Sequence, residues 1–223
     1  MSARVWQRLG YLRERGGFAA GVSWLAARAL RIDANHVFRS AARPPLAAPH
    51  PPAGRTLLTL SSPLQVRSLD QELREQLERH SGRTLIELVA RAHTVFALIQ
   101  DGRVVCQADV ALGRELAMDT PRALLVAPDE RSSLLQYLFT HEGTRRAGAA
   151  RELLERVSAV LGAAGTQVLF AHVGVGNVPS LRTFRGAGWS QVGSFAALPG
   201  GWLVRSPGLR KAGIAVRPVP AKR

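Results

Sequence analysis

The sequence predicts an α/β domain, and three observations carry that prediction. Two β-like runs, Thr94 to Gln100 and Arg103 to Leu112, meet at Asp101-Gly102, a dipeptide suited to the positive-φ positions of a tight hairpin. From Ala147 to Leu161 the residues Ala150, Leu153, Leu154, Val157 and Leu161 share one helical face, and Gly162 and Gly165 stop the helix. From Leu134 onward, strand and helix patterns alternate: a buried strand to Thr140, that helix, a strand over Gln167 to Val173, a helix over Pro179 to Arg185, and a strand over Trp189 to Ala196.

The rest of the chain is read in order. Residues 1–40 carry two short helical patterns, Val5-Leu9-Leu12 and Phe18-Val22-Leu25-Ala29, separated by Gly16-Gly17. Trp6 and Trp24 add apolar bulk to what is expected to be a basic amphipathic extension. Residues 41–55 contain five prolines between Ala41 and Gly54, which disfavours helix and suits an extended linker. Thr56 to Leu60 is β-like. Leu69 to His80 is helical, with Ser68 as N-cap and Gln71 completing a capping box. Ala123 to Val126 and Trp202 to Arg205 are short strand candidates. The expected organisation is a helical extension (1–40), a linker (41–55), an α/β domain (56–206) and a basic tail (207–223).

Composition bounds the function. The 223 residues are 46% hydrophobic and 21% charged, too apolar for a disordered chain and enough for one globular domain with extensions or two small ones. A single cysteine, Cys106, forms no intramolecular disulfide or structural zinc site and suits a reducing, cytoplasmic compartment. It is expected to pack as a small hydrophobe. The apolar stretch from Gly16 to Ala27 is too short to span a bilayer, and Arg28 and Arg31 spoil a signal-peptide layout. The formal net charge is +14, held at the ends: residues 1–55 carry nine Arg against Glu14 and Asp33 (+7), residues 205–223 six basic groups and no acid (+6). The first 40 residues are therefore candidates to lie on an anionic membrane surface, which would make the cytoplasmic protein membrane-peripheral, or to pack onto the domain or a second subunit. Nucleic acid is disfavoured, because no aromatic-basic interleaving forms a base-stacking platform.

One segment carries chemistry. After the strand ending at Thr140, the turn His141-Glu142-Gly143-Thr144 leads into Arg145-Arg146-Ala147-Gly148-Ala149-Ala150 at the start of the best-defined helix. Small residues there leave helix-start N–H groups uncovered, a place for a pyrophosphate beside two guanidinium charges. The order Arg145-x-x-Gly148-x-Ala150 after a strand resembles the acyl-CoA loop of the GNAT N-acetyltransferase superfamily. Asn177-Val178-Pro179-Ser180, followed by Phe184 and Gly188-Trp189, resembles that family's later motif. The resemblance covers residues 134–196 most closely, and more loosely residues 56–133.

The resemblance implies a GNAT-like central mixed β-sheet flanked by helices, and transfer of an acyl group, usually acetyl, from CoA to an amine, with no metal. It assigns Phe139, Thr140, Arg145, Arg146, Ala147, Gly148, Ala149, Ala150, Asn177, Ser180 and Phe184 to acetyl-CoA. Many family members have a Tyr acid where this chain has Phe184, so that role is left open between water, Ser180, a substrate group and departure of CoA as thiolate. The same departure keeps a second reading alive, a catalytically weakened domain acting as a basic binding module on anionic membrane, a partner protein or nucleic acid. Three residues are candidates for the proton acceptor: Glu142 and His141 beside the turn, and Asp109 in the strand Val104 to Val110, where alternation favours an outward-facing carboxylate.

Overall fold

The structure is a computed structural model and describes residues 32–42, 54–81, 83–118, 123–198 and 202–219. In chain order the elements are β1 (Asp33–Ala41), β2 (Arg55–Leu60), α1 (Pro63–Arg67), α2 (Gln71–Ser81), α3 (Leu85–Ala90), β3 (His93–Gln100), β4 (Arg103–Leu112), β5 (Glu115–Met118), β6 (Ala123–Val126) and β7 (Ser132–Thr140). A 3-10 turn (Glu142–Thr144) follows, then α4 (Ala149–Ala163), β8 (Val168–Gly174), α5 (Val178–Gly186), β9 (Ser190–Ala197), β10 (Leu203–Arg205), α6 (Pro207–Lys211) and β11 (Ala215–Pro218). The described residues form two compact units, one within 40–116 and 127–171, the other within 32–39, 117–126 and 172–219.

The first unit is built on a mixed sheet in the order β2-β3-β4-β7-β8. The first three pairings are antiparallel, and β7–β8 is parallel. The β3–β4 hairpin turns at Asp101 (φ 50°) and Gly102 (φ 71°), as the Asp-Gly dipeptide predicts. Strand β4 is buried from Val104 to Ala111, because α2 and α4 both pack on it, so no alternation survives. A core of Leu60, Val66, Leu77, Leu85, Leu88 and Val95 joins α1, α2 and α3 to the sheet.

Helix starts in this unit differ from the expected ones. The capping box lies at Ser62 and Gln65, which open α1, and Ser68 is the C-cap of that helix. Asp70 caps α2 instead, its Oδ1 accepting from the N–H groups of Glu72 (2.9 Å) and Leu73 (3.3 Å). A second box, Thr84 with Glu87, opens α3, which the periodicity does not reveal because the helix is only six residues long. The start of α4 is tied down by charge. Glu152 forms ion pairs with Arg55 at 2.9 Å and with Arg156 at 2.7 Å, the Arg55 Nε donates to Gln100 Oε1 at 2.9 Å, and the Arg55 Nη1 lies 3.4 Å from the carbonyl of Ala147.

In the second unit β1 and β10 both pair antiparallel with β9, and β6 pairs antiparallel with β11. Two expected boundaries are corrected here. Residues 33–41 are not part of a helical extension but a strand in register with β9, with Val37 and Phe38 fully buried. Residues 207–218 are not a tail: Leu209, Ile214 and Val216 are buried, and the basic residues between them decorate a folded segment. Both helical patterns at Val5–Leu12 and Phe18–Ala29, and most of the Pro-rich linker, lie outside the described residues. Among the described residues no helix is long and apolar enough to cross a membrane.

Gly193 and Gly208 touch neighbouring backbone: a Cβ on Gly193 would meet the Leu209 N at 2.8 Å, and one on Gly208 the Val192 O at 2.5 Å. Gly193→Ala and Gly208→Ala should each lower stability by roughly 1–3 kcal/mol in denaturant titration. Gly186→Ala, with nothing within 4 Å, should leave the midpoint unchanged or slightly raised. Glu152→Gln removes the shared anion of two half-buried guanidinium groups and should cost about 3 kcal/mol by the same measurement. Phe184 is 3% exposed and lies against Phe38 (5.6 Å) and Trp189 (5.0 Å), so Phe184→Ala should lower stability by roughly 3–5 kcal/mol.

Candidate active site: the bulged strand β7 and the turn into α4

Strand β7 changes character midway. Ser132 to Gln136 are buried, Tyr137 is 39% exposed, and Leu138 to Thr140 are half-buried. Tyr137 has φ 50°, a conformation that costs a bulky L-residue energy and marks a bulge. The pairing with β4 records the extra residue: Gln107 is opposite Phe139, but Asp109 is opposite Gln136. The parallel ladder with β8 ends at the same place, running over Ser132–Leu135 and Val168–Ala171.

The turn after β7 returns the chain to α4 through two left-handed residues, Arg146 (φ 68°) and Gly148 (φ 76°). Gly148 is the N-cap and no side chain caps the helix start. The first-turn N–H groups of a 15-residue helix are therefore uncovered by any side-chain cap, at the positive end of its dipole. Space over Gly148 is open, with no atom within 4 Å of a Cβ built there. This is the arrangement expected of a phosphate seat, and Ala147, Ala149 and Ala150 keep its walls low.

The expected catalytic residues fall unequally. The Glu142 side chain is 86% exposed and its carboxylate lies 3.8 Å from Arg145. His141 is better held: its ring meets Phe139 edge-on at 5.2 Å, its Nε2 lies 3.5 Å from Gln107 Oε1, and its backbone N–H donates to the Val105 carbonyl. Asp109 corrects the outward placement expected from alternation. It is 3% exposed, and its Oδ2 lies 2.7 Å from Nδ1 of His93, itself 7% exposed. With Asp109 ionised, the imidazole Nδ1–H is the donor.

His93 escapes the sequence reading for a definite reason. A hairpin closed on Asp101-Gly102 without interruption would set Thr94 opposite Asp109, and His93 on the other face. A bulge in β4 opposite Leu98 and Ile99, with Val105 as the extra residue, shifts the register by one, so Val95 stands opposite Asp109 and His93 shares its face. Gln136, also buried, joins the same face from β7. No local signal announces such a bulge.

Cys106 is fully buried, its Sγ 3.4 Å from Thr140 Oγ1, and burial pushes its thiol up to about 11. It packs as the small hydrophobe expected. In the second unit Asn177 caps α5, its Oδ1 accepting from the Ser180 N–H at 3.4 Å, and Phe184 is a core ring. Among the described residues no three His, Cys, Asp or Glu side chains gather into a metal-binding group.

The model of the acetyltransferase (GNAT) family matches residues 61–189. Solved structures that the chain resembles include a putative GNAT-family acetyltransferase from Novosphingobium aromaticivorans DSM 12444 (16% identity, TM-score 0.49, 75% of this chain and 63% of that one). Others are GCN5-related N-acetyltransferases from Sphaerobacter thermophilus (16%, TM-score 0.46, 81% and 55%) and from Kribbella flavida (14%, TM-score 0.44, 87% and 67%). The chain thus spans about three fifths of the length of the first of these. No curated protein matches it. With its family model matched over more than half its length, across β7, the capless turn and α4, the chain belongs to the GNAT acetyltransferase family.

Proposed function

We propose that this protein transfers an acetyl group from acetyl-CoA to an amine of an acceptor. The observation that carries the reading is the start of α4: a left-handed Gly148 N-cap, no side-chain cap, open space over the glycine, and Arg145 and Arg146 beside it. A pyrophosphate there accepts from first-turn N–H groups, is favoured by the helix dipole, and gains two guanidinium partners. The Arg55–Glu152–Arg156 cluster supports this by fixing the first turns of α4 against β2.

The acyl arm would run back along the half-buried end of β7, past Thr140 and Phe139 to the bulge at Tyr137. A backbone N–H presented at such a bulge polarises a thioester carbonyl and stabilises the oxyanion that forms on attack. The attacking amine must be neutral, so its proton needs an acceptor held by the fold. Glu142, in solvent beside Arg145, fits the phosphate turn better than that task, and His141 lies between the two regions. The family's Tyr acid is replaced by a core phenylalanine, Phe184, so in this reading CoA leaves as the thiolate and takes its proton from solvent.

Gly148→Glu places a carboxylate where phosphates are to sit. It should abolish acetyl-CoA binding in calorimetric titration, a loss well beyond tenfold, with the circular dichroism spectrum retained. Gly148→Asn is the control, because Asn tolerates the left-handed conformation and adds no charge; its binding should weaken far less. Equal affinity of the wild type and Gly148→Glu for acetyl-CoA would remove the α4 start from the cofactor site.

A further inference from the structure

On the face of the sheet that β3, β4 and β7 share, the register brings together three buried polar residues, His93, Asp109 and Gln136, to which the reading above gives no role; Gln107 on the same face is already committed to the Leu77 carbonyl. Packing does not require it. Burying hydrogen-bonding side chains costs desolvation that apolar side chains of the same volume would not incur. Its position is the informative part. Asp109 stands opposite Gln136, and Gln136 is the last residue before Tyr137, where β7 bulges and surfaces. The fold thus holds a carboxylate, oriented at 2.7 Å by an imidazole, beside the one point of β7 suited to a reacting carbonyl.

We infer that Asp109 is the proton acceptor for the attacking nucleophile and that His93 is its positioning residue. The inference rests on the acetyl-transfer reading. In the step, the nucleophile's lone pair forms a bond to the thioester carbon and the carbonyl electrons move to oxygen. The proton leaving the nucleophile ends on the free oxygen of Asp109, whose other oxygen keeps the bond from His93. The carbonyl then reforms and the C–S bond breaks, releasing thiolate. The bond from His93 fixes which oxygen is available, the part an orienting partner plays beside a catalytic base.

The test measures thiol release from acetyl-CoA with excess methylamine as acceptor, alongside calorimetric affinity for acetyl-CoA. Asp109→Asn keeps the shape of the side chain and should lower kcat by roughly 10²–10⁴-fold while acetyl-CoA affinity stays unchanged. His93→Gln retains an N–H donor and should keep more of kcat than His93→Leu, again with unchanged affinity. Wild-type kcat in Asp109→Asn overturns the assignment, and so does a loss confined to acetyl-CoA binding, which would make the cluster a structural strut. If Asp109→Asn does not fold, the two His93 variants decide: equal kcat in both overturns the proposal. A wild-type protein that neither binds acetyl-CoA nor releases thiol overturns instead the reading beneath it.

Discussion

The bulge at Tyr137 is the constraint on which the rest of the candidate site depends. A strand paired on both sides has its N–H and C=O groups committed to neighbours and its side chains committed to two cores. Strand β7 is that kind of strand up to Gln136. One residue with φ 50° then adds an extra position against β4, coincides with the end of the ladder to β8, and brings the strand to the surface for its last residues. Holding a tyrosine in that conformation costs of order 1–3 kcal/mol, which the buried half of the strand and the β4 pairing must offset.

The turn into α4 works by a related principle. A helix start is normally closed by Ser, Thr, Asp or Asn, and α1 and α3 both have such caps with reciprocal boxes. The longest helix of the described residues has none. Its Gly148 is left-handed and open above, and the stability a cap would contribute comes instead from the Arg55–Glu152–Arg156 cluster one turn further in. Anchoring from the sheet side leaves the outer end of the helix for a ligand.

The buried polar pair shows how two irregularities combine. The bulge in β4, where Val105 is the extra residue, brings His93 onto the face of Asp109, and β7 bulges and surfaces immediately after Gln136, which stands opposite Asp109. Without the first, the carboxylate would face the same core without its imidazole. Without the second, it would have no relation to the exposed end of β7.

The sequence by itself determined the elements whose signals are local: the Asp-Gly hairpin, the apolar face of α4, the alternation from β7 to β9, and the small-residue turn with its paired arginines. Each is a matter of turn stereochemistry or of a 3.6- or 2-residue period, legible without knowing what lies opposite. Only the tertiary structure decided what depends on a neighbour. Residues 33–41 and 215–218 are strands because β9 and β6 accept them, though basic, proline-rich surroundings suggested extensions. Asp109 is buried because helices pack on β4, and it has a partner because a one-residue register shift moves a whole face of β3 across the sheet. Register and burial arise between strands, and no periodicity within one strand records them.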